Sequence, residues 1–260
     1  MAATRSFSRG FGTRSIRADA RLPSANQISS SSRVMEPRTI QASVGVGEDS
    51  APSTNGAIVD LKSASVSFGG EFALRPTSLR LMDGTAAVVS GPSGCGKSTL
   101  LRVVAGLLGP SSGEVALWRN GAGPKDRRIG ITLEEPRLWP WMDAAETVVC
   151  TAGLGGVRLR KREAVSLLTE LNLGDATKTR VSKLSQGMAR RVQLAGALAV
   201  GRDLLLLDEP TASLDLENGA VVWRCLENRR LAGTPIVIAT HDDSWREHLQ
   251  AATVIDLSQA

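Results

Sequence analysis

The spacing of hydrophobic positions changes several times along the chain, and each change predicts a different element. Residues 58–68 alternate apolar and polar side chains, which is typical of a half-buried strand. Residues 161–171 instead repeat apolar side chains every three to four positions, which predicts an amphipathic helix. Residues 204–207 are apolar throughout and precede two acids and a proline, as expected of a strand covered on both faces in a largely parallel sheet. Together these patterns predict an α/β protein.

Turn residues and shorter apolar runs complete the predicted order of elements. Gly69-Gly70 is expected to make a tight turn, and a hairpin is expected at Asp83-Gly84, directly after the apolar stretch at 79–82. Ser185 stands at the start of a helical pattern and is a candidate N-cap. The other predictions are strands at 114–118, 129–133, 235–239 and 254–257, helices at 143–150, 185–200 and 216–231, and a last helix before the final strand.

One glycine-rich stretch predicts a phosphate site. Residues 91–99 read GPSGCGKST, between an apolar strand at 86–89 and a helical run at 100–105, which is the context that the G-x-x-x-x-G-K-[ST] pattern requires. The backbone N–H groups of such a loop and the positive end of the following helix bind phosphates. Lys97 is predicted to reach the β- and γ-phosphates, and the Ser98 hydroxyl to ligate Mg²⁺. The predicted site for a nucleoside triphosphate is Gly91, Pro92, Ser93, Gly94, Cys95, Gly96, Lys97, Ser98 and Thr99.

The location of the charge matters more than its sum. The net charge is +5, and residues 1–35, with six arginines and one aspartate, supply all of it. The formally neutral remainder argues against nucleic acid as a partner.

No apolar run approaches the ~20 residues that span a bilayer, so a membrane role requires a separate chain. The three cysteines are far apart and lack zinc-site spacing, which favours reduced thiols.

Residues 1–50 have the composition of a targeting segment. They are rich in Arg, Ser and Ala, nearly free of acids before Glu36, and lack the hydrophobic core of a secretory signal. This predicts an organellar transit peptide; a disordered tail that stays attached is the alternative. The Met-Ala-Ala start and the serines at 29–32 favour a plastid over a mitochondrion. The folded body is expected to begin near residue 57.

Acidic residues follow the leucine-rich strand at the edge where a ligand is expected. Because the carboxyl ends of parallel strands meet at the ligand crevice, Asp208 is predicted to lie near the Mg²⁺ held by Ser98. Glu209 is predicted to polarise the attacking water beside the γ-phosphate. His241 follows another predicted strand and is a candidate to hold the γ-phosphate or the water. A His after a strand is more often a surface residue, but its position in this arrangement favours the functional role.

Five motifs in a fixed order resemble the ATPase subunit of ATP-binding cassette (ABC) proteins, over roughly residues 57–257. They are GPSGCGKST, LSQGM at 184–188, LLLLDEP at 204–210, TASLD at 211–215 and ATHD at 239–242. The resemblance implies an α/β fold: a P-loop NTPase core with a mixed, largely parallel sheet, an antiparallel β subdomain and a short helical subdomain. It also implies an ATPase whose cofactors are ATP and Mg²⁺.

The resemblance implies further roles outside the phosphate loop. Ser185 and Gly187 correspond to signature residues that contact the γ-phosphate of ATP on the opposite subunit, although Gln186 and Met188 depart from the family's L-S-G-G-Q. A backbone N–H at the start of a helix can donate a hydrogen bond to a phosphate oxygen. Asp215 ends the loop that in the family signals between the two subunits.

Two positions carry residues that are less usual in the family. Phe68 stands where an aromatic residue, commonly Tyr, stacks on adenine; a core residue is the alternative. Glu134 stands where the family has a Gln that contacts Mg²⁺ and the attacking water and passes the nucleotide state to the membrane partner. A carboxylate can ligate Mg²⁺ but adds charge near the γ-phosphate, so hydrolysis is expected to survive but to be slow or more metal-dependent. The segment EPRLWPW at 135–141 is similar to that of nitrate, sulfonate and taurine importers, whereas Leu194-Ala195-Gly196 resembles vitamin and metal importers of the energy-coupling type.

Four functions fit these observations to different degrees. The first is an ATPase subunit that pairs as a homo- or heterodimer and drives a permease on a separate chain, peripheral to an inner membrane of a plastid or, alternatively, a mitochondrion. The second is a soluble ABC ATPase that acts in assembly, for example of iron–sulfur scaffolds. A DNA-repair or chromosome ATPase is disfavoured by the neutral body and the lack of a coiled-coil or zinc insertion. A small-molecule kinase is contradicted by the signature motif and by the strand that ends in His241. The importer-like segment at 135–141 favours the first function over the second.

Overall fold

The strands of this protein form two sheets of different type. The computed structural model describes residues 56–117, 127–242, 244–245 and 252–258. Within these residues the strands are β1 (Val59–Phe68), β2 (Glu71–Leu81), β3 (Ala86–Ser90), β4 (Ser112–Leu117), β5 (Ile129–Ile131), β6 (Leu204–Asp208), β7 (Ile236–Ala239) and β8 (Thr253–Asp256). The helices are α1 (Lys97–Val104), α2 (Ala144–Leu154), α3 (Lys161–Glu170), α4 (Gln186–Val200) and α5 (Leu216–Leu231), with 3₁₀ turns at Gly174–Ala176 and Val181–Lys183.

The larger sheet has the order β5-β6-β7-β3-β8, and all of its neighbouring strands are parallel. Three of its strands, β3, β6 and β7, are buried at every position, as the continuous apolar run at 204–207 predicted. The carboxyl ends of these strands therefore meet at one edge, and residues 91–99, 208–209 and 240–241 follow directly from them.

The leucines of β6 divide between two hydrophobic clusters because successive side chains of a strand point to opposite faces. Leu205 and Leu207 belong to the cluster that includes residues of α2, α3 and α4, whereas Leu204 and Leu206 belong to the cluster that includes α1 and the antiparallel sheet. Each of the four is fully buried, which stabilises the fold by about 1.5–3 kcal/mol per side chain. The strand that ends in the acidic pair is thus fixed from both sides.

The antiparallel sheet has the order β2-β1-β4, and a tight turn joins its first two strands. Gly69 and Gly70 make this turn with φ of 60° and 91°, the positive values that a two-residue hairpin turn requires. The turn predicted there is confirmed. The hairpin predicted at Asp83-Gly84 is wrong, because these residues connect β2 to β3, which belong to different sheets. Sequence pattern alone does not say which sheet a strand joins.

Three helices begin at side chains that cap their first free N–H groups. The side chains of Asp143, Ser185 and Asp215 accept hydrogen bonds from backbone N–H groups at the starts of α2, α4 and α5, so the N-cap predicted at Ser185 is confirmed. The predicted transit peptide at 1–50 and the predicted last helix lie outside the described residues. Among those described, no helix has the length and apolar character needed to cross a membrane.

Candidate functional site

The phosphate loop follows β3 and leads into α1, the arrangement that the sequence predicts for residues 91–99. Gly96 is the residue before the first turn of α1 and has φ of 106°. A Cβ atom added there would lie 2.6 Å from the Ala73 carbonyl oxygen, so the loop approaches β2 more closely than any side chain allows. Residue 96 is therefore restricted to glycine both by its backbone conformation and by the neighbouring strand.

Lys97 extends its ammonium group across the mouth of the loop. Nζ donates hydrogen bonds to the carbonyl oxygens of Gly91, at 2.7 Å, and Pro92, at 3.1 Å. These two bonds hold a positive charge over the loop without a carboxylate partner among the described residues. The ammonium lies where an incoming phosphate can replace the carbonyls as its hydrogen-bond acceptor.

Ser98 and Asp208 meet at the carboxyl edge of the parallel sheet, as predicted. The Ser98 hydroxyl donates to Asp208 Oδ2 at 2.7 Å, and the Thr132 hydroxyl accepts from the Asp208 backbone N–H at 3.1 Å. Burial raises the pKa of the Asp208 carboxyl above its ordinary value, the Ser98 hydrogen bond opposes this shift, and the nearby Glu134 and Glu209 carboxylates add to it. A buried carboxylate in this setting favours a bound cation.

Glu209 is held by contacts to both of its carboxylate oxygens. Oε2 accepts from the Thr240 hydroxyl at 3.0 Å; Oε1 lies 3.0 Å from the donating backbone N–H of His241 and 2.7 Å from His241 Nδ1. The side chain is only 10% exposed and its backbone φ is 48°, an uncommon conformation for a residue with a Cβ. The sheet thus brings the predicted base and His241 into direct contact, while the His241 side chain itself is 73% exposed.

Glu134 lines a cleft with Ser98 and Asp208. The cleft has a volume of about 340 Å³ and is bordered by α1 and by the segment after β5. Glu134 is exposed, and its backbone oxygen accepts a hydrogen bond from the Arg190 guanidinium. The structure therefore brings this predicted metal ligand to the same edge as Ser98 and Asp208, with its carboxylate facing an open cleft.

Arg190 is a residue at this site that the sequence did not predict. It is 4% exposed, lies in α4, and donates to the backbone oxygens of Asp208, Glu209 and Glu134. Two adjacent arginines on a helix ordinarily indicate a solvated face, so nothing in the local pattern separates Arg190 from a surface residue. Only the three-dimensional arrangement of the carbonyl oxygens gives it a place in the site.

The predicted signature residues lie in a different cleft from the phosphate loop. Ser185, Gly187 and Asp215 line one opening of about 290 Å³, which the residues of the phosphate loop do not border. The Ser185 hydroxyl accepts from the backbone N–H of Met188 at 3.2 Å, so the signature begins α4 with Ser185 as its N-cap. Within the described part of a single chain, the two halves of the predicted ATP site are thus separate.

Phe68, the predicted adenine platform, ends β1 and is 62% exposed, so the alternative that it belongs to the core is wrong. We expect Phe68→Ala to weaken ATP binding about 5- to 150-fold, because stacking on a base contributes ~1–3 kcal/mol. Titration with a fluorescent ATP analogue measures this effect.

Phe72 provides a matched control for this substitution. It is similarly exposed, at 56%, but pairs with Ser67 rather than Phe68, so its side chain projects from the opposite face of the same hairpin. Phe72→Ala is expected to change ATP binding by less than about twofold. Equal losses in the two variants would contradict a stacking role for Phe68.

The residues at the sheet edge fit a triphosphate and a hard divalent cation. The loop provides one ammonium group without a carboxylate partner among the described residues, while Ser98 and Asp208 provide adjacent oxygen ligands for a cation. Among the described residues, no three His, Cys, Asp or Glu side chains converge on a metal position. That arrangement suits Mg²⁺, which takes few protein ligands and completes its shell with phosphate oxygens and water. Fold and site together define a P-loop nucleoside triphosphatase.

Comparisons with known proteins agree with this class and narrow it. The family model for ABC transporters matches residues 74–212. An aliphatic sulfonates import ATP-binding protein of Rhizobium johnstonii is 37% identical over 202 residues, covering 76% of this chain and 73% of that protein. A taurine import ATP-binding protein of Yersinia pestis biovar Antiqua is 36% identical over 184 residues, covering 67% and 70%. A dimeric ATP-binding cassette solved in a post-hydrolysis state with ADP and Pi is 26% identical, with a TM-score of 0.66, covering 77% of this chain and 95% of that one.

The chain belongs to the ABC transporter family. It is an ATP-binding and ATP-hydrolysing subunit that acts with a separate membrane permease. The predicted family and α/β fold are confirmed, and the soluble assembly ATPase is not favoured.

Proposed function

We propose that the chain hydrolyses Mg-ATP at the carboxyl edge of the parallel sheet, with Glu209 as the base that polarises water. The observation that carries this proposal is the contact of Glu209 with His241, beside the hydrogen bond between Ser98 and Asp208. Lys97 binds the β- and γ-phosphates. Ser98 and Asp208 hold Mg²⁺, which neutralises phosphate charge when it is bound. His241 orients the γ-phosphate or the water.

Each ATP site is completed by a second copy or a related subunit. Ser185 and Gly187 border a cleft apart from the phosphate loop, which supports a site shared between two chains. A two-fold symmetric pair would place each signature on the other chain's ATP, with Asp215 near the shared boundary. Light scattering of the Glu209→Gln protein with and without Mg-ATP measures the pairing. A protein that stays monomeric with saturating Mg-ATP would oppose a homodimer.

The partner permease imports its substrate. The segment EPRLWPW at 135–141 and the likeness to sulfonate and taurine import ATP-binding proteins support this direction. The test uses the Glu209→Gln chain loaded with Mg-ATP as bait in an organelle extract. A polytopic membrane chain that co-purifies would then be reconstituted in vesicles, and uptake of taurine and alkanesulfonates measured with ATP on the side of this subunit.

The bait experiment separates the transporter from an assembly ATPase. The control is the same variant with Lys97→Ala added, which cannot retain nucleotide if the phosphate site is correct. A membrane chain that co-purifies with both baits supports a permease complex that is stable without nucleotide. A membrane chain that co-purifies only with the ATP-loaded bait supports a complex whose formation depends on nucleotide. Soluble proteins alone would instead indicate assembly or remodelling.

Glu134 makes hydrolysis more dependent on Mg²⁺ than a neutral residue would. Its carboxylate lines the cleft beside Asp208 and is one of the charges that raise the Asp208 pKa. We expect Glu134→Gln to raise turnover about two- to tenfold at low Mg²⁺, because it removes one negative charge near the γ-phosphate. Steady-state hydrolysis across a Mg²⁺ series measures this. Glu135→Gln, the adjacent residue on the same cleft, is the control, and unchanged rates for Glu134→Gln at every Mg²⁺ concentration would contradict the role.

Residues 1–50 direct the chain to a plastid, where the subunit works at the inner membrane. The basic, serine-rich and acid-poor composition of this segment supports the proposal. Incubation of the full chain with isolated plastids and isolated mitochondria, followed by protease treatment and N-terminal sequencing, tests it. Protected, shortened protein in plastids is the expected result; protection only in mitochondria, or in neither, would contradict it.

A further inference from the structure

Arg190 connects two catalytic segments of the chain through backbone oxygens. One terminal nitrogen of its guanidinium donates to Glu209 O at 2.9 Å and to Asp208 O at 3.4 Å, and the other donates to Glu134 O. The first segment ends β6 and the second follows β5. A planar fork with fixed donor directions sets the distance between such acceptors, which a flexible side chain cannot do.

Burial of the charged Arg190 side chain costs free energy in the folded state. Arg190 is 4% exposed, no carboxylate lies within ion-pairing distance of it in the described part of the chain, and its buried Nε has no hydrogen-bond partner there. Burial lowers the pKa of Arg190, while the charges of Glu209, Glu134 and Asp208 oppose that shift. A buried cation with an unpaired donor and no carboxylate partner does not by itself stabilise a fold.

The backbone that Arg190 holds is itself unusual. Glu209 has φ of 48°, and its N–H donates to Ala239 O at 2.8 Å, while its C=O accepts from Arg190. The peptide units on the two sides of this residue are therefore held by β7 and by α4. Release of the α4 contact would let Glu209 relax from this conformation and move its carboxylate.

Arg191 shows what a buried arginine of α4 does away from the catalytic edge. It is 7% exposed and donates to the backbone oxygens of Leu171 and Asn172 and to Asn218 Oδ1. Burial lowers the pKa of Arg191 as well. The two neighbours are thus alike in burial and in the type of bond, but they hold different parts of the molecule.

We propose that Arg190 is a positioning residue for ATP hydrolysis, whose guanidinium fixes the Asp208–Glu209 backbone relative to the segment that carries Glu134. This inference rests on the proposed role of Glu209 as the base. Since Arg190 belongs to the helix that begins with the signature motif, movement of α4 or of the Glu134 segment changes the placement of the base. A positioning residue of this kind acts on turnover and not on nucleotide affinity.

The test compares Arg190→Met, Arg190→Lys and Arg191→Met in the full chain. We expect Arg190→Met to lower kcat about 10- to 100-fold and to change the dissociation constant for ATP by less than about threefold. Amide hydrogen exchange in residues 132–138 should become about tenfold faster without nucleotide. Arg191→Met should lose at least as much thermal stability, yet accelerate exchange at 170–174 and not at 132–138.

Each result bears on the proposal in one direction. Arg190→Lys keeps the charge but not the fork, so a kcat above about half of the unmodified value would show that charge suffices and would overturn the inference. Equal acceleration at 132–138 in the Arg191→Met protein would also overturn it, because the effect would then be general loosening. Hydrogen exchange does not depend on hydrolysis, so it tests the Arg190 contact separately from the role of Glu209. Faster exchange at 132–138 in Arg190→Met, together with normal turnover of Glu209→Gln, would support the structural contact and reject Glu209 as the base.

Discussion

Replacing Lys97 by alanine is expected to weaken Mg-ATP binding by at least about 100-fold, or ~2.7 kcal/mol. The ammonium group bonds to the carbonyl oxygens of Gly91 and Pro92, so it both clasps the loop and supplies the charge for the β- and γ-phosphates. A methyl group does neither. Equilibrium titration with a fluorescent ATP analogue measures the loss.

Lys62 is the control for this substitution. Its ammonium pairs with Glu114 at 3.0 Å on the antiparallel sheet, and 60% of its side chain is exposed. Lys62→Ala should bind ATP within about twofold of the unmodified chain, since exposed pairs contribute little. Binding by Lys97→Ala within about tenfold of normal would mean that the triphosphate does not occupy this loop.

The Glu209→Gln protein is expected to bind ATP within about threefold of normal but to hydrolyse it about 1,000-fold more slowly. The amide has the shape of the carboxylate and retains an oxygen that can accept from His241, so the site stays folded. It cannot take a proton from water, and loss of general base catalysis costs about 10²- to 10⁴-fold. Phosphate release at saturating ATP, together with a binding titration, separates the two effects.

Glu114→Gln is the matched control, because this glutamate is exposed on β4 and remote from the sheet edge. Its turnover should stay near that of the unmodified chain. Normal turnover in Glu209→Gln would show that Glu209 is not the base, and His241→Ala would then be the next variant to measure.

Most of the fold could be predicted from the sequence because its strands are strongly patterned. The alternation at 58–68 and the apolar run at 204–207 correspond to β1 and β6, and the N-cap at Ser185 is at the start of α4. The prediction failed at Asp83-Gly84, where a good hairpin dipeptide instead connects two sheets. Turn propensity is local, whereas strand partners are chosen by long-range burial.

The position of Asp208 and Glu209 at the candidate site could be predicted because they end an identifiable strand, but the residues that support them could not. The hydroxyls of Thr132 and Thr240 bond to the backbone of Asp208 and to the side chain of Glu209, across distances of many residues along the chain. Arg190 bonds to backbone oxygens, which every residue has, so no pattern of side chains marks its partners. Such contacts become visible only once the strands are placed beside each other.

The burial of Asp208 has a consequence for the stability of the protein. Since its pKa is raised in the folded state, the folded chain holds that proton more tightly than the unfolded chain, and the free energy of unfolding falls as pH rises above about 4. At neutral pH this penalty is present in every nucleotide-free copy, while Mg-ATP at 100 times its dissociation constant adds about 2.7 kcal/mol of stability. Nucleotide-free copies are therefore expected to unfold more readily than loaded copies, and thermal denaturation with and without Mg-ATP measures the difference.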